Sequence, residues 1–175
     1  MPLIMKIIEW DDRGLGSLEP IRHSLAWRKA FLSVTATGNG GLYVVVAALM
    51  CLLDQERALP YMTCVLTAFG LGLPAHVLLK KGIKRRRPCE GNPRVSQGFK
   101  PVDRFSFPSG HTTHAFLMAT VLAFFFPMLT VPLYLWATSV GISRVYLGVH
   151  YPSDVLAGVL LGLLCAWIGL YAAGY

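Results

Sequence analysis

From Phe31 to Tyr171 the chain is a succession of apolar runs, interrupted by a single long polar stretch, residues 80–107. No other feature restricts the fold so strongly. About 20 apolar residues of helix cross the hydrocarbon core of a bilayer, and there every backbone N–H and C=O must be paired inside its own segment. The runs read as spans are Phe31–Leu53, Ala58–Leu79, His111–Phe126, Met128–Ile142 and Val155–Tyr171. Charge content agrees, since only 14% of the 175 residues are charged, against about a quarter in a soluble domain. The expected fold is all-α: a polytopic membrane helix bundle of about five transmembrane helices in one domain, 1–175, preceded by an interfacial segment, 1–30.

That N-terminal segment places Ile4, Ile7, Ile8 and Trp10 at loose helical spacing beside Lys6, Glu9, Asp11, Asp12 and Arg13. The pattern predicts an amphipathic helix lying at the membrane surface with Trp10 at headgroup level. A second short amphipathic piece is expected over Leu18–Lys29. In the first span, Thr37-Gly38-Asn39-Gly40-Gly41 makes a flexible start. Pro60, Gly70, Gly72 and Pro74 permit a bend in the second, because neighbouring helices can satisfy freed backbone groups. Gly158 and Gly162 stand at G-x-x-x-G spacing, which allows two helices to approach closely. The cysteines, Cys51, Cys64, Cys89 and Cys165, form no C-x-x-C pair and indicate neither a disulfide framework nor a zinc site.

Polar clusters sit at the span ends. The first is Lys80-x6-Arg87-Pro88, the second Pro108-Ser109-Gly110-His111, and the third Ser143-Arg144-x5-His150-x3-Asp154. Alone, the first is an ordinary basic flank of a span. Counting spans brings them together: if Ala58–Leu79 ends on one side, the next two helices cross and return, so all the clusters share that side. Arg87, Arg144 and Lys80 suit a phosphate dianion, with bidentate arginine contacts fixing its orientation. Ser109 is a good helix N-cap, and a helix N-terminus at Ser109–Gly110 offers backbone N–H groups to an anion. Paired imidazoles, His111 and His150, let one attack phosphorus while the other protonates the leaving oxygen, and Asp154 can orient a histidine. No clustered carboxylates suggest magnesium, so no metal or cofactor is expected and the protein's own cations would stabilise developing charge.

These signatures, in this order and spacing, resemble those of the type 2 phosphatidic acid phosphatase family of membrane lipid phosphatases, whose site is shared with vanadium-dependent haloperoxidases. The resemblance covers Lys80 to Asp154. It implies that His150 is the nucleophile that forms a phosphohistidine, that Asp154 orients it, and that His111 is the general acid. It assigns phosphate binding to Lys80, Arg87, Arg144 and the backbone at Ser109 and Gly110. Larger members have a sixth span, where this chain has an amphipathic segment. The expected partners are the bilayer and a lipid phosphate or diphosphate, with polyprenyl diphosphate, phosphatidylglycerophosphate and phosphatidic acid as candidates and no nucleic acid. The alternatives are a non-catalytic anionic-lipid carrier and a haloperoxidase. All Lys and Arg except Arg57 fall on the motif side, which the positive-inside rule makes cytoplasmic. The resemblance instead implies a site at the periplasmic or outer face of the cell membrane, and that expectation is followed. Lys81, Lys84, Arg85 and Arg86 are then expected to attract anionic headgroups.

Overall fold

The structure, a computed structural model, describes residues 2–91, 95 and 103–175; among them helices are the only regular elements. Much of the expected 80–107 loop, residues 92–94 and 96–102, lies outside the described residues.

Helix α1 (Pro2–Ser17) is amphipathic as its spacing predicts: Ile4, Ile7, Ile8 and Trp10 are exposed, while Asp11 and Leu15 are buried. The second amphipathic piece is divided. A short α2 (Glu19–Arg22) ends before Ser24, whose side chain caps α3 (Leu25–Thr37). Buried Arg22 donates to Leu15 O (3.1 Å) and Tyr146 O (3.3 Å), tying the N-terminal segment to the bundle.

The span expected over Phe31–Leu53 is instead a bent pair, α3 and α4 (Gly41–Leu53), meeting at 49°. Gly38-Asn39-Gly40 makes the break: Gly40 has φ +89°, a conformation that residues with a Cβ rarely adopt. Asp54 then caps α5 (Gln55–Ile83) by accepting from Arg57 N at 3.2 Å. Helix α5 runs a turn beyond the expected span, so Lys80 lies in its last turn rather than in a loop. A short α6 (Pro88–Gly91) follows an irregular segment, residues 84–87, that carries Arg85 and Arg87.

Helix α7 (Gly110–Phe125) is the centre of the molecule, packed against α5, α8 (Thr130–Tyr146) and α9 (Pro152–Ala172). Thr112, Thr113 and every residue from Ala115 to Val121 are buried. Its 16 residues rise only about 24 Å, short of a hydrocarbon core of about 30 Å. Protein covers it on most sides, so its length need not match the bilayer. Helices α5 and α9 are long and apolar enough to cross individually, and the α3–α4 pair does so if taken as one broken span.

The G-x-x-x-G pattern is used in packing. A Cβ on Gly158 would come within 2.7 Å of Ser109 O, and one on Gly162 within 2.4 Å of Thr113 O. Helix α9 therefore lies almost backbone to backbone on the first turns of α7. That contact sets the position of Asp154 relative to His111.

Candidate active site

Separate elements supply the polar side chains. Lys80 comes from the last turn of α5, Arg87 from the segment after it, and Gly110 and His111 from the start of α7. Arg144 lies in the last turn of α8, a turn later than the sequence pattern placed the helix end. His150 sits in the α8–α9 turn, whose Val149 and His150 N–H groups donate to Arg144 O at 3.2 and 3.3 Å. Gly148 gives this turn its φ of +68°, and a Cβ there would be 2.4 Å from Val95 O.

Lys80, Arg87, Gly110, His111, Arg144 and His150 line one cavity of about 640 Å³. The distances assign its nitrogens. Arg87 Nη1 donates to Val149 O (2.7 Å) and lies 3.3 Å from His150 Nε2, while His150 Nδ1 is 3.8 Å from Asp154 Oδ2. Nε2 thus faces the cations and Nδ1 faces the carboxylate, at a separation longer than a hydrogen bond. Burial pushes the His150 imidazole down to about 4, against the opposing pull of Asp154. A neutral ring with a free electron pair is what a nucleophile needs.

Asp154 is fully buried behind His150. Its Oδ2 accepts from Tyr151 N (2.8 Å) and its Oδ1 from Arg85 Nη1 (2.8 Å). The second contact corrects the expectation for Arg85: this side chain is a partner of Asp154, whereas Lys81, Lys84 and Arg86 are exposed. A basic run gives no hint of which member turns inward.

Ser109 also departs from expectation. It occupies the N-cap position of α7, but its Oγ pairs with Thr112 Oγ1 (2.8 Å) and its backbone N–H donates to Asp154 O (3.0 Å). That N–H is committed to fastening α7 to α9, and of the Ser109–Gly110 pair Gly110 is the one lining the cavity. The absent Cβ of Gly110 makes room for His76, whose Nε2 would be 2.9 Å from it.

Further residues at the site escaped the sequence patterns. Asp103 accepts from Lys80 Nζ (2.7 Å) and Arg87 Nη2 (2.6 Å). Burial works to raise its carboxyl, but these ion pairs prevail and hold it below the usual carboxylate range. Asn39, at the α3–α4 break, places Oδ1 2.7 Å from His111 Nε2, so that nitrogen is the donor. His76 and His114 complete the polar lining, and Tyr43, Phe69 and Leu73 give the cavity an apolar side. Arg144 reaches Thr35 Oγ1 at 2.7 Å, joining α8 to α3. Among the described residues no group of three or more His, Cys, Asp or Glu side chains is arranged to hold a metal ion.

The sequence profile of the PAP2 superfamily matches residues 57–175. The chain belongs to that superfamily. Phosphatidylglycerophosphatase B of Bacillus subtilis is 39% identical over 111 residues, covering 57% of this chain and 52% of that protein. Undecaprenyl-diphosphatase of Sulfolobus acidocaldarius is 33% identical over 138 residues, covering 75% and 62%. The PAP2 chain thus spans roughly half the length of the curated relatives it matches. The crystal structure of Aquifex aeolicus LpxE superimposes with a TM-score of 0.75 and 29% identity, over 90% of this chain and 92% of that one. The PAP2 match begins at Arg57, so α1 to α4 lie outside it.

Proposed function

We propose that this PAP2 protein, acting as a single domain over 1–175, is a metal-independent phosphatase that removes the terminal phosphate from a membrane lipid phosphate or diphosphate. One observation carries the reading: His150 Nε2 lies 3.3 Å from Arg87 in a cavity shared with Lys80, Arg144 and His111, while Nδ1 turns toward Asp154. Lys80, Arg87 and Arg144, with the backbone at Gly110, hold the phosphoryl oxygens. The Nε2 electron pair attacks phosphorus, the bond to the lipid oxygen breaks, and His111, protonated when the bound phosphate offsets the surrounding cations, gives that oxygen its proton and becomes neutral. Asp154 stabilises the positive charge that the ring acquires. Water then attacks the phosphohistidine with His111 as base, and the N–P electron pair returns to Nε2 as inorganic phosphate leaves.

The names of the relatives support phosphatidylglycerophosphate and undecaprenyl diphosphate as the substrate class; phosphatidic acid is a candidate from the motif resemblance alone. The apolar side of the cavity, at Tyr43, Phe69 and Leu73, suits the lipid portion. The protein resides in the cell membrane with its site toward the periplasm or exterior, where its exposed basic residues meet anionic headgroups rather than nucleic acid.

Phosphate release from lipid phosphates by detergent-solubilised protein is expected to persist in EDTA. His150→Ala should lose about 10³-fold or more in kcat, and Lys84→Ala little. Dependence on added magnesium, or equal losses from both variants, refutes the mechanism. Intact spheroplasts should hydrolyse a membrane-impermeant short-chain substrate. Activity that emerges only after lysis places the site in the cytoplasm.

A further inference from the structure

Helix α1 lies outside the segment shared with the PAP2 profile, and yet it carries a carboxylate that is 1% exposed, Asp11. A buried aspartate on a surface helix must be compensated, because an unpaired charge out of water is costly. Its partners are unusually complete. Oδ1 accepts from Ser153 N (2.8 Å), and Oδ2 accepts from Ser153 Oγ (2.6 Å) and Arg85 Nη2 (2.6 Å).

Arg85 uses its other terminal nitrogen on the far side. Nη1 donates to Asp154 Oδ1 (2.8 Å) and to Ser153 Oγ (2.6 Å). Its guanidinium also stacks over Tyr151 at 4.0 Å. One planar fork therefore bridges two buried carboxylates, the second of which faces His150 Nδ1. Such a bridge fixes direction as well as charge, which a lysine in its place cannot do. Steric fit holds α1 in register: Gly14 lies against Pro152, where a Cβ would be 2.5 Å from Cγ.

We infer that Asp11 is a positioning residue for the nucleophile: through Arg85 and Ser153 it holds Asp154, and thereby the His150 ring, so that turnover depends on α1 being docked. The inference rests on His150 being the nucleophile. Asp11 touches no substrate, so its loss should act on the aligned reacting geometry and not on phosphate binding. Partners that orient a metal-ligating histidine change affinity or activity by about 10- to 100-fold, and a partner that orients a nucleophilic histidine should act on the same scale.

The test compares Asp11→Asn with Asp12→Asn, an exposed neighbour, and Gly14→Ala with Gly16→Ala, where an added Cβ meets nothing within 4 Å. Asp11→Asn and Gly14→Ala should lower kcat about tenfold or more while KM changes by less than about threefold, and the two controls should match wild type. In an Asp154→Asn background the further cost of Asp11→Asn should largely vanish, because both act along one chain of contacts. A kcat within about twofold of wild type, or an undiminished cost in the double variant, overturns the inference in favour of a purely structural anchor. The ring ¹⁵N signals of His150 provide a readout without turnover: a tautomer ratio altered by Asp11→Asn supports the positioning role, and an unchanged spectrum overturns it. A wild type that releases no phosphate from any lipid phosphate refutes the phosphatase reading, while those ring signals still decide the role of Asp11.

Discussion

Arg87→Lys separates charge from geometry at the proposed phosphate site. Arg87 is 3% exposed and divides its donors: Nη1 to Val149 O at 2.7 Å, Nη2 to Asp103 Oδ1 at 2.6 Å, and Nε to Asp103 O at 3.0 Å. A lysine keeps the charge but has one nitrogen, and so serves one of these directions. If it turns toward phosphate, Val149 O is left buried without its donor, at a cost of about 1–3 kcal/mol. If it turns toward Val149, the transferring phosphoryl group loses a preorganised donor, which is worth about 10²–10³ in kcat. The expected outcome is a kcat/KM loss approaching that range, or a fall in Tm of about 2–12 °C at roughly 2–4 °C per kcal/mol for a chain of this size, or a share of both. Phosphate-release kinetics and thermal unfolding in the same detergent read the two terms separately. Arg86→Lys, on an exposed side chain, serves as the control. An Arg87→Lys protein within about threefold of wild type and with unchanged Tm would show that positive charge alone suffices, and the argument from the forked geometry would fail.

Two more expectations follow from packing and titration. Gly162→Ala should destabilise by about 1–3 kcal/mol, since its Cβ would meet Thr113 O, a backbone atom that cannot move aside. Gly70→Ala, with nothing within 4 Å, should be neutral or stabilising by up to about 1 kcal/mol, and equal Tm values for the pair would refute the close α7–α9 contact. Burial pushes the His150 imidazole down to about 4, below its ordinary 6.5, so folding favours the neutral ring. Its contribution to stability is therefore fully present above pH 6.5 and is lost as pH falls from 6.5 toward 4. His150→Gln should make the fall of stability across that window less steep than in wild type, and a slope equal to that of wild type would show that His150 does not titrate there.

The sequence alone determined most of the residues gathered at the candidate site and the kind of solvent the chain lives in. Apolar runs can be read because lipid makes the backbone pair its own polar groups, and uninterrupted runs of this length do so as helix. Lys80, Arg87, His111, Arg144, His150 and Asp154 can be read because short fixed spacings carry their motifs, and span counting sets them on one side. Helix ends were less legible. The break at Gly38-Asn39-Gly40 and the extra turns that carry Lys80 and Arg144 depend on what each helix packs against. Tertiary structure alone decided which neighbours of those motifs matter. Arg85 looks like Lys84 and Arg86 in a basic run, and Asp11 looks like Asp12 on an amphipathic helix. One member of each set turns inward because α1, the segment after α5 and the first turn of α9 converge there, joining residues 142 positions apart. Such a contact has no local periodicity or spacing to announce it, since its energy comes from burying charged groups against each other once the helices have docked.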